Sequence, residues 1–250
     1  MKTKSILSAA LLLGVCSSAN AQSFEPITNR VGQSFSALAL TVTQVITNYA
    51  INLPIPDNNP SGLASTKDFT STIDRIGDVN VTMKISGNFN GDLVGYLTHN
   101  SGFSVLLNRV GRVAGNDLGY GDAGANVKFD DSAANGDIHN YRVKLGGSAN
   151  AALAGSLLGS WAPDGRSADP GLVRDTDSRS AFLDSFYSLN PNGKWTLFLA
   201  DLSPGGTSTL DSWGLEITVI PEPADWALMT VGGFILLFAS RNWRRSAQKA

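Results

Sequence analysis

His99 and His139 are the only imidazoles in this chain and Cys16 its only thiol, whereas aspartate occurs 18 times against three glutamates. These counts bound the chemistry. A serine hydrolase needs a nucleophile activated by a histidine that an acid orients. Neither histidine stands in such a pattern: His99 follows an apolar run, His139 closes an aspartate-rich stretch, and each reads as a hydrogen-bonding loop residue. Two histidines and one cysteine also cannot fill a zinc site of nitrogen and sulfur. Calcium asks for several oxygen ligands. Asp122, Asp130, Asp131, Asp137, Asp201 and Asp211 lie in glycine-rich loops that offer carboxylates and carbonyls together. The spacing over 130–137 fails the EF-hand pattern. Each aspartate equally suits an Asx turn, in which the carboxylate accepts a nearby backbone amide, and the turn is the favoured reading. Asp92 opens an apolar run after Asn90-Gly91 and suits a turn-holding role.

Aromatic side chains supply a third chemistry, stacking on sugar rings. Tyr96, Tyr120, Tyr141, Trp161 and Tyr187 sit in or beside loops. Trp195 and Trp213 start apolar runs and read as core.

The elements that must position these groups are strands. Alternation of apolar and polar residues, the mark of a half-buried strand, runs through 36–46, through Val79, Val81, Met83 and Ile85, and through Trp213, Leu215, Ile217 and Val219. Leu93 to Thr98 and Trp195 to Leu199 read as buried strands, and 126–129 as a short one. Asn90-Gly91 predicts a tight hairpin turn between the strands on either side. Tyr141, Val143 and Leu145 alternate with Arg142 and Lys144 and predict another strand. Segment 48–62, with Pro54, Pro56 and Pro60, reads as an extended crossing, since proline cannot sit in a central strand. Segment 149–160 reads as a loop or one short helix, and 161–179 as a surface excursion. Many short strands with turn signals between them mean a β-sandwich.

The two ends carry different signals. Residues 1–21 join Lys2 and Lys4 to an apolar run and the small-residue site Ala19-Asn20-Ala21, the pattern of a secretory signal peptide handled by the Sec translocon and signal peptidase. Cleavage after Ala21 removes Cys16 and leaves neither disulfide nor thiol nucleophile. From Gln22 to Ile220 there are 13 basic and 19 acidic side chains, so this part carries about six net negative charges. Nucleic acid is excluded as a partner for want of a basic stripe. At the other end, Trp226 to Ser240 contains no charge, and Arg241, Arg244 and Arg245 follow. As a helix those 15 residues rise about 22 Å, short of the roughly 30 Å hydrocarbon layer. The basic cluster would hold its end in the cytoplasm.

Pro221-Glu222-Pro223, the apolar run and the arginines together resemble the PEP-CTERM sorting signal of bacterial exported proteins. The resemblance implies recognition by an exosortase, a membrane-embedded cysteine transpeptidase that removes the tail. A second resemblance rests on Gly91-Asp92-Leu93 with Leu97 and Gly102, on Phe182-Leu183, on Gly193-Lys194-Trp195-Thr196-Leu197 with Asp201, and on Leu210-Asp211-Ser212-Trp213-Gly214-Leu215. In order, these blocks are similar to the P domain of proprotein convertases, a jelly-roll sandwich that stands beside a subtilisin-like protease domain.

The expected fold is therefore all-β, a jelly-roll-like, P-domain-like sandwich over 51–219. A lead-in with the first strand (22–50) precedes it, and a signal helix and a C-terminal membrane helix (220–250) flank the whole. The expected function is that of a noncatalytic structural or binding module, held in the inner membrane before processing and then at the cell surface or outside. Its expected partners are the membrane, the exosortase, and an exopolysaccharide or other envelope proteins. No cofactor is required, and Ca2+ is the one ion considered. The alternative is a protease-associated module acting with a separate secreted serine endopeptidase.

Overall fold

A computed structural model describes residues 44–219. The signal-peptide site at Ala19 and Ala21, most of the lead-in, and the sorting signal with Pro221, Glu222, Pro223, Arg241, Arg244 and Arg245 lie outside the described residues. Ten strands build two sheets: β1 (Gln44–Ile46), β2 (Tyr49–Ile55), β3 (Asn59–Phe69), β4 (Ile76–Gly87), β5 (Leu93–His99), β6 (Gly102–Asn108), β7 (Ala125–Phe129), β8 (Leu157–Trp161), β9 (Gly193–Asp201) and β10 (Ser208–Val219). One sheet runs β1-β10-β4-β7-β8, with β2 sharing the β1 side of β10, and the other runs β3-β9-β5-β6. Every pairing is antiparallel except β7 with β8.

The expected sandwich follows from the alternation. Val79, Val81, Met83 and Ile85 of β4 and Trp213, Leu215 and Ile217 of β10 are buried, as are Leu93 and Leu97 of β5 and Trp195, Leu197 and Leu199 of β9. Their apolar faces form one core between the sheets. Trp213 lies across it, its indole Nε1 donating to Ser65 Oγ of β3 at 3.0 Å.

Four sequence expectations change. Asn90-Gly91 does not turn a hairpin, because β4 and β5 belong to different sheets. Phe89 takes a left-handed conformation (φ 57°), and the buried Asn90 amide donates to Gly124 O at 2.9 Å. The chain thereby crosses between layers. Tyr141, Val143 and Leu145 share no strand face: Tyr141–Lys144 is a single helical turn (α1), with Tyr141 buried and Val143 and Leu145 exposed. Asp137 Oδ1, accepting from His139 N at 2.9 Å, caps the 3-10 turn Ile138–Asn140 that leads into it, and Gly146 at φ 84° follows its end. Segment 48–62 contains β2 and the start of β3; both are sheet-edge strands, the place where Pro54 and Pro60 are tolerated. Within 149–160, Leu157 begins β8, which lies parallel to β7.

Gly214 on β10 marks the closest approach of the entering chain. A Cβ there would stand 2.0 Å from Thr47 O and 2.9 Å from Thr82 Oγ1. Thr47 N donates to Leu215 O at 2.8 Å, so the crowded carbonyl belongs to a bonded segment. Gly214→Ala is expected to push the β1–β2 connection off β10, at about 1–3 kcal/mol. Thermal denaturation checks this, and an unchanged melting temperature would show that Thr47 moves aside freely.

Candidate functional site

The chemistry-bearing side chains collect where the loops before β7, after β6 and after β8 meet, and they form three charge clusters. The first centres on Asp122. Arg142 of α1 donates from Nε to Oδ2 at 2.7 Å and from Nη2 to Oδ1 at 2.8 Å. Tyr141 Oη adds 2.6 Å to Oδ2, and Leu153 N adds 2.8 Å to Oδ1. The Arg142 guanidinium also lies 4.4 Å from the centre of the Tyr120 ring. Burial works to raise the Asp122 carboxyl, but the bonds from Arg142 and Tyr141 outweigh it and hold it below the usual range. The same carboxylate, after burial, pushes the Tyr141 phenol up.

The second cluster surrounds His139, which is fully buried. Its Nδ1 lies 2.7 Å from Asp164 Oδ2 and its Nε2 2.9 Å from the Arg112 carbonyl. Arg166 bridges Asp164 Oδ1 at 3.1 Å and Asp137 Oδ2 at 2.7 Å. Burial disfavours a charged His139; the bond and charge of Asp164, with the Arg112 carbonyl, outweigh it, and the imidazole is shifted upward. Segment 161–179 is thus only partly a surface excursion. Asp164 and Arg166 are buried, and backbone bonds hold the segment beside β6: Asp164 N donates to Leu106 O at 3.1 Å and Gly165 N to Val105 O at 2.9 Å.

The third cluster joins Arg109, Asp92 and Asp201. Arg109 donates from Nε to Gly91 O at 2.6 Å and from Nη2 to Ser203 Oγ at 3.0 Å, and it stands 3.5 Å from Asp92 Oδ1. Asp201 Oδ1 accepts from Ser203 N at 3.1 Å, while its buried Oδ2 has no hydrogen-bond partner among the described residues. Burial raises both Asp92 and Asp201.

The aspartates considered for calcium are placed apart. Asp122 serves Arg142; Asp137 serves Arg166 and the His139 amide; Asp201 lies beside Arg109. Asp130 closes an Asx turn on Ser132 N at 2.8 Å. Asp131 accepts from Leu183 N at 3.1 Å and Asp184 N at 2.8 Å. Asp211 accepts from Ser86 Oγ at 2.8 Å. Among the described residues no three acidic, histidine or cysteine side chains converge on one point.

His99 offers no free nitrogen to a substrate. Nδ1 is 2.9 Å from Lys194 O and Nε2 is 2.7 Å from Asn190 O, and the ring stacks on Trp195 at 4.1 Å. Neither histidine has a hydroxyl or thiol at hydrogen-bond distance among the described residues. The sugar-stacking set is broken up as well. Tyr120, Tyr141 and Trp161 are core residues, and Tyr187 is exposed. Tyr96 instead joins two phenylalanines that the sequence reading left out. On the outer side of the four-stranded sheet it stacks on Phe198 at 4.7 Å and lies 5.5 Å from Phe103. Strand register was the missing signal, because it sets Tyr96 of β5 opposite Phe198 of β9.

No family model and no curated protein matches the chain. Among solved structures it is similar to a serine protease of Aeromonas sobria in complex with the chaperone ORF2, at 16% identity and a TM-score of 0.39. That alignment covers 73% of this chain and 28% of the other. The same protease without the chaperone gives 16% identity and a TM-score of 0.36, covering 72% of this chain and 27% of that one. The chain thus spans little more than a quarter of the proteins it aligns with.

Proposed function

We propose that this chain is an exported, noncatalytic module of the bacterial envelope, a P-domain-like jelly roll handed to the cell surface by processing at its tail. The observation that supports the reading is how near to the motif the described sheet runs. β10 is described to Val219, and Thr218 is paired with Gln44 on one side and Asp78 on the other. One residue, Ile220, stands between Val219 and Pro221-Glu222-Pro223. A cut at or after that motif leaves every residue of the described core in place. The two histidines, each with both nitrogens occupied inside the fold, favour a scaffold over a hydrolase.

The test compares cells carrying the native tail with cells in which Pro221, Glu222 and Pro223 are alanine. With the native tail, mass spectrometry is expected to find a mature C-terminus near the motif, in the surface or extracellular fraction. The triple variant is expected to keep residues through Ala250 and to remain with the inner membrane. Identical C-termini and identical fractionation would overturn the reading.

A further inference from the structure

The long connection from β8 to β9 has little regular structure, yet it is fastened along the free side of β6. Asp164 N and Gly165 N donate to Leu106 O and Val105 O, and Val105 N donates to Ala181 O at 3.0 Å. Asn108 Nδ2 donates to Arg166 O and Ala168 O, both at 2.9 Å, and Arg112 Nη1 to Pro170 O at 2.7 Å. Residues 163–182 form a strap that covers an edge strand, where unpaired backbone would otherwise face solvent.

His139 stands between this strap and the loop after β6. Both of its ring nitrogens meet acceptors: the Asp164 carboxylate on the strap and the Arg112 carbonyl on the loop. A neutral imidazole donates one hydrogen bond only, so satisfying both contacts requires a proton on each nitrogen. The same loop is tied a second time, Gly111 N donating to His139 O at 2.8 Å.

We propose that His139 is a pH-operated latch: its doubly protonated ring joins strap to loop, and loss of one proton releases the strap from the β6 edge. The other charged groups near it lie on three segments. Asp137 lies on its own turn; Asp164, Arg166, Arg174 and Arg179 lie on the strap; Arg112 and Asp117 lie on the loop. The Asp164 carboxylate favours the imidazolium and the Arg166 guanidinium opposes it. The upward shift of His139 gives the sign. The closed latch has its full stability below about pH 6.5, the ordinary histidine value, and loses it as pH rises through the higher value of the closed state. Within that window the opening constant is expected to rise by up to about tenfold per pH unit, one proton leaving per opening.

Two measurements on the folded protein decide the matter. Nitrogen-15 correlation spectra of the imidazoles at neutral pH are expected to show both His139 nitrogens protonated. Amide exchange, corrected for its intrinsic pH dependence, is expected to show Val105, Gly165 and Ala181 losing protection with rising pH while Met83 and Leu215 keep theirs. In His139→Gln the protection of the strap is expected to be low and independent of pH. If that variant does not fold, the wild-type titration alone decides. A neutral His139 at pH 7, a pH-independent strap, or parallel loss of protection in β4 and β10 would each overturn the latch.

Discussion

Replacing Asp122 with alanine is expected to cost about 3–5 kcal/mol of folding free energy, the toll of leaving a buried partner charge uncompensated. Four donors converge on this carboxylate from Arg142, Tyr141 and Leu153. Without it, the Arg142 guanidinium keeps one bond, to Ala149 O at 2.9 Å, and the Tyr141 hydroxyl is left with only a marginal 3.5 Å contact to Asn90. Exposed ion pairs rarely exceed 1 kcal/mol because water screens them, but Asp122 is almost wholly removed from solvent. The pH dependence has a definite sign. A carboxyl lowered in the folded state contributes stability above its unfolded value near 3.9 and loses it as pH falls through the lowered value. Urea denaturation should therefore show a large gap between Asp122→Ala and the parent at pH 7, narrowing in strong acid. A gap below about 1 kcal/mol at pH 7 would show that the cluster behaves as a surface pair.

Trp213→Ala is the other large effect, also expected at about 3–5 kcal/mol. The ring is fully buried, packs on Tyr49 of β2 at 5.1 Å, and donates to Ser65 of the opposite sheet. The substitution loses apolar burial, opens a cavity between the layers and strands the Ser65 hydroxyl. Trp213→Phe separates these terms. It keeps most of the volume and removes the donor, so its cost should be nearer 1–3 kcal/mol, the penalty of one unsatisfied buried group. Equal losses in the two variants would mean that the hydrogen bond, not the packing, dominates.

What the sequence made legible was the periodic part of the fold. β4 and β10 declare themselves because large buried residues recur every second position, and β5 and β9 because their short runs are apolar. β3 does not, since Asn59–Phe69 is rich in small and polar residues and owes its conformation to register against β9. Tyr141, Val143 and Leu145 misled because two-residue spacing over so short a run also fits one helical turn, and nothing local says which neighbour buries Tyr141. The aspartates were legible as loop residues but not as ion-pair partners. Arg142, Arg166 and Arg109 meet carboxylates brought near by topology, with 20 residues separating Asp122 from Arg142 and 29 separating Asp137 from Arg166.

The pairing of β1 with the end of β10 bears on mechanics. Gln44 faces Thr218, so the two ends of the described chain lie side by side. A pull applied between Gln44 and Val219 therefore loads the bonds of β1 one after another, as a zipper, rather than all together in shear. A pull at Val219 alone, against a ligand held elsewhere on the sheets, leaves that zipper unloaded. Tension applied at both Gln44 and Val219 would peel β1 first, while tension at Val219 alone would be borne by β10, clasped along its length by β4.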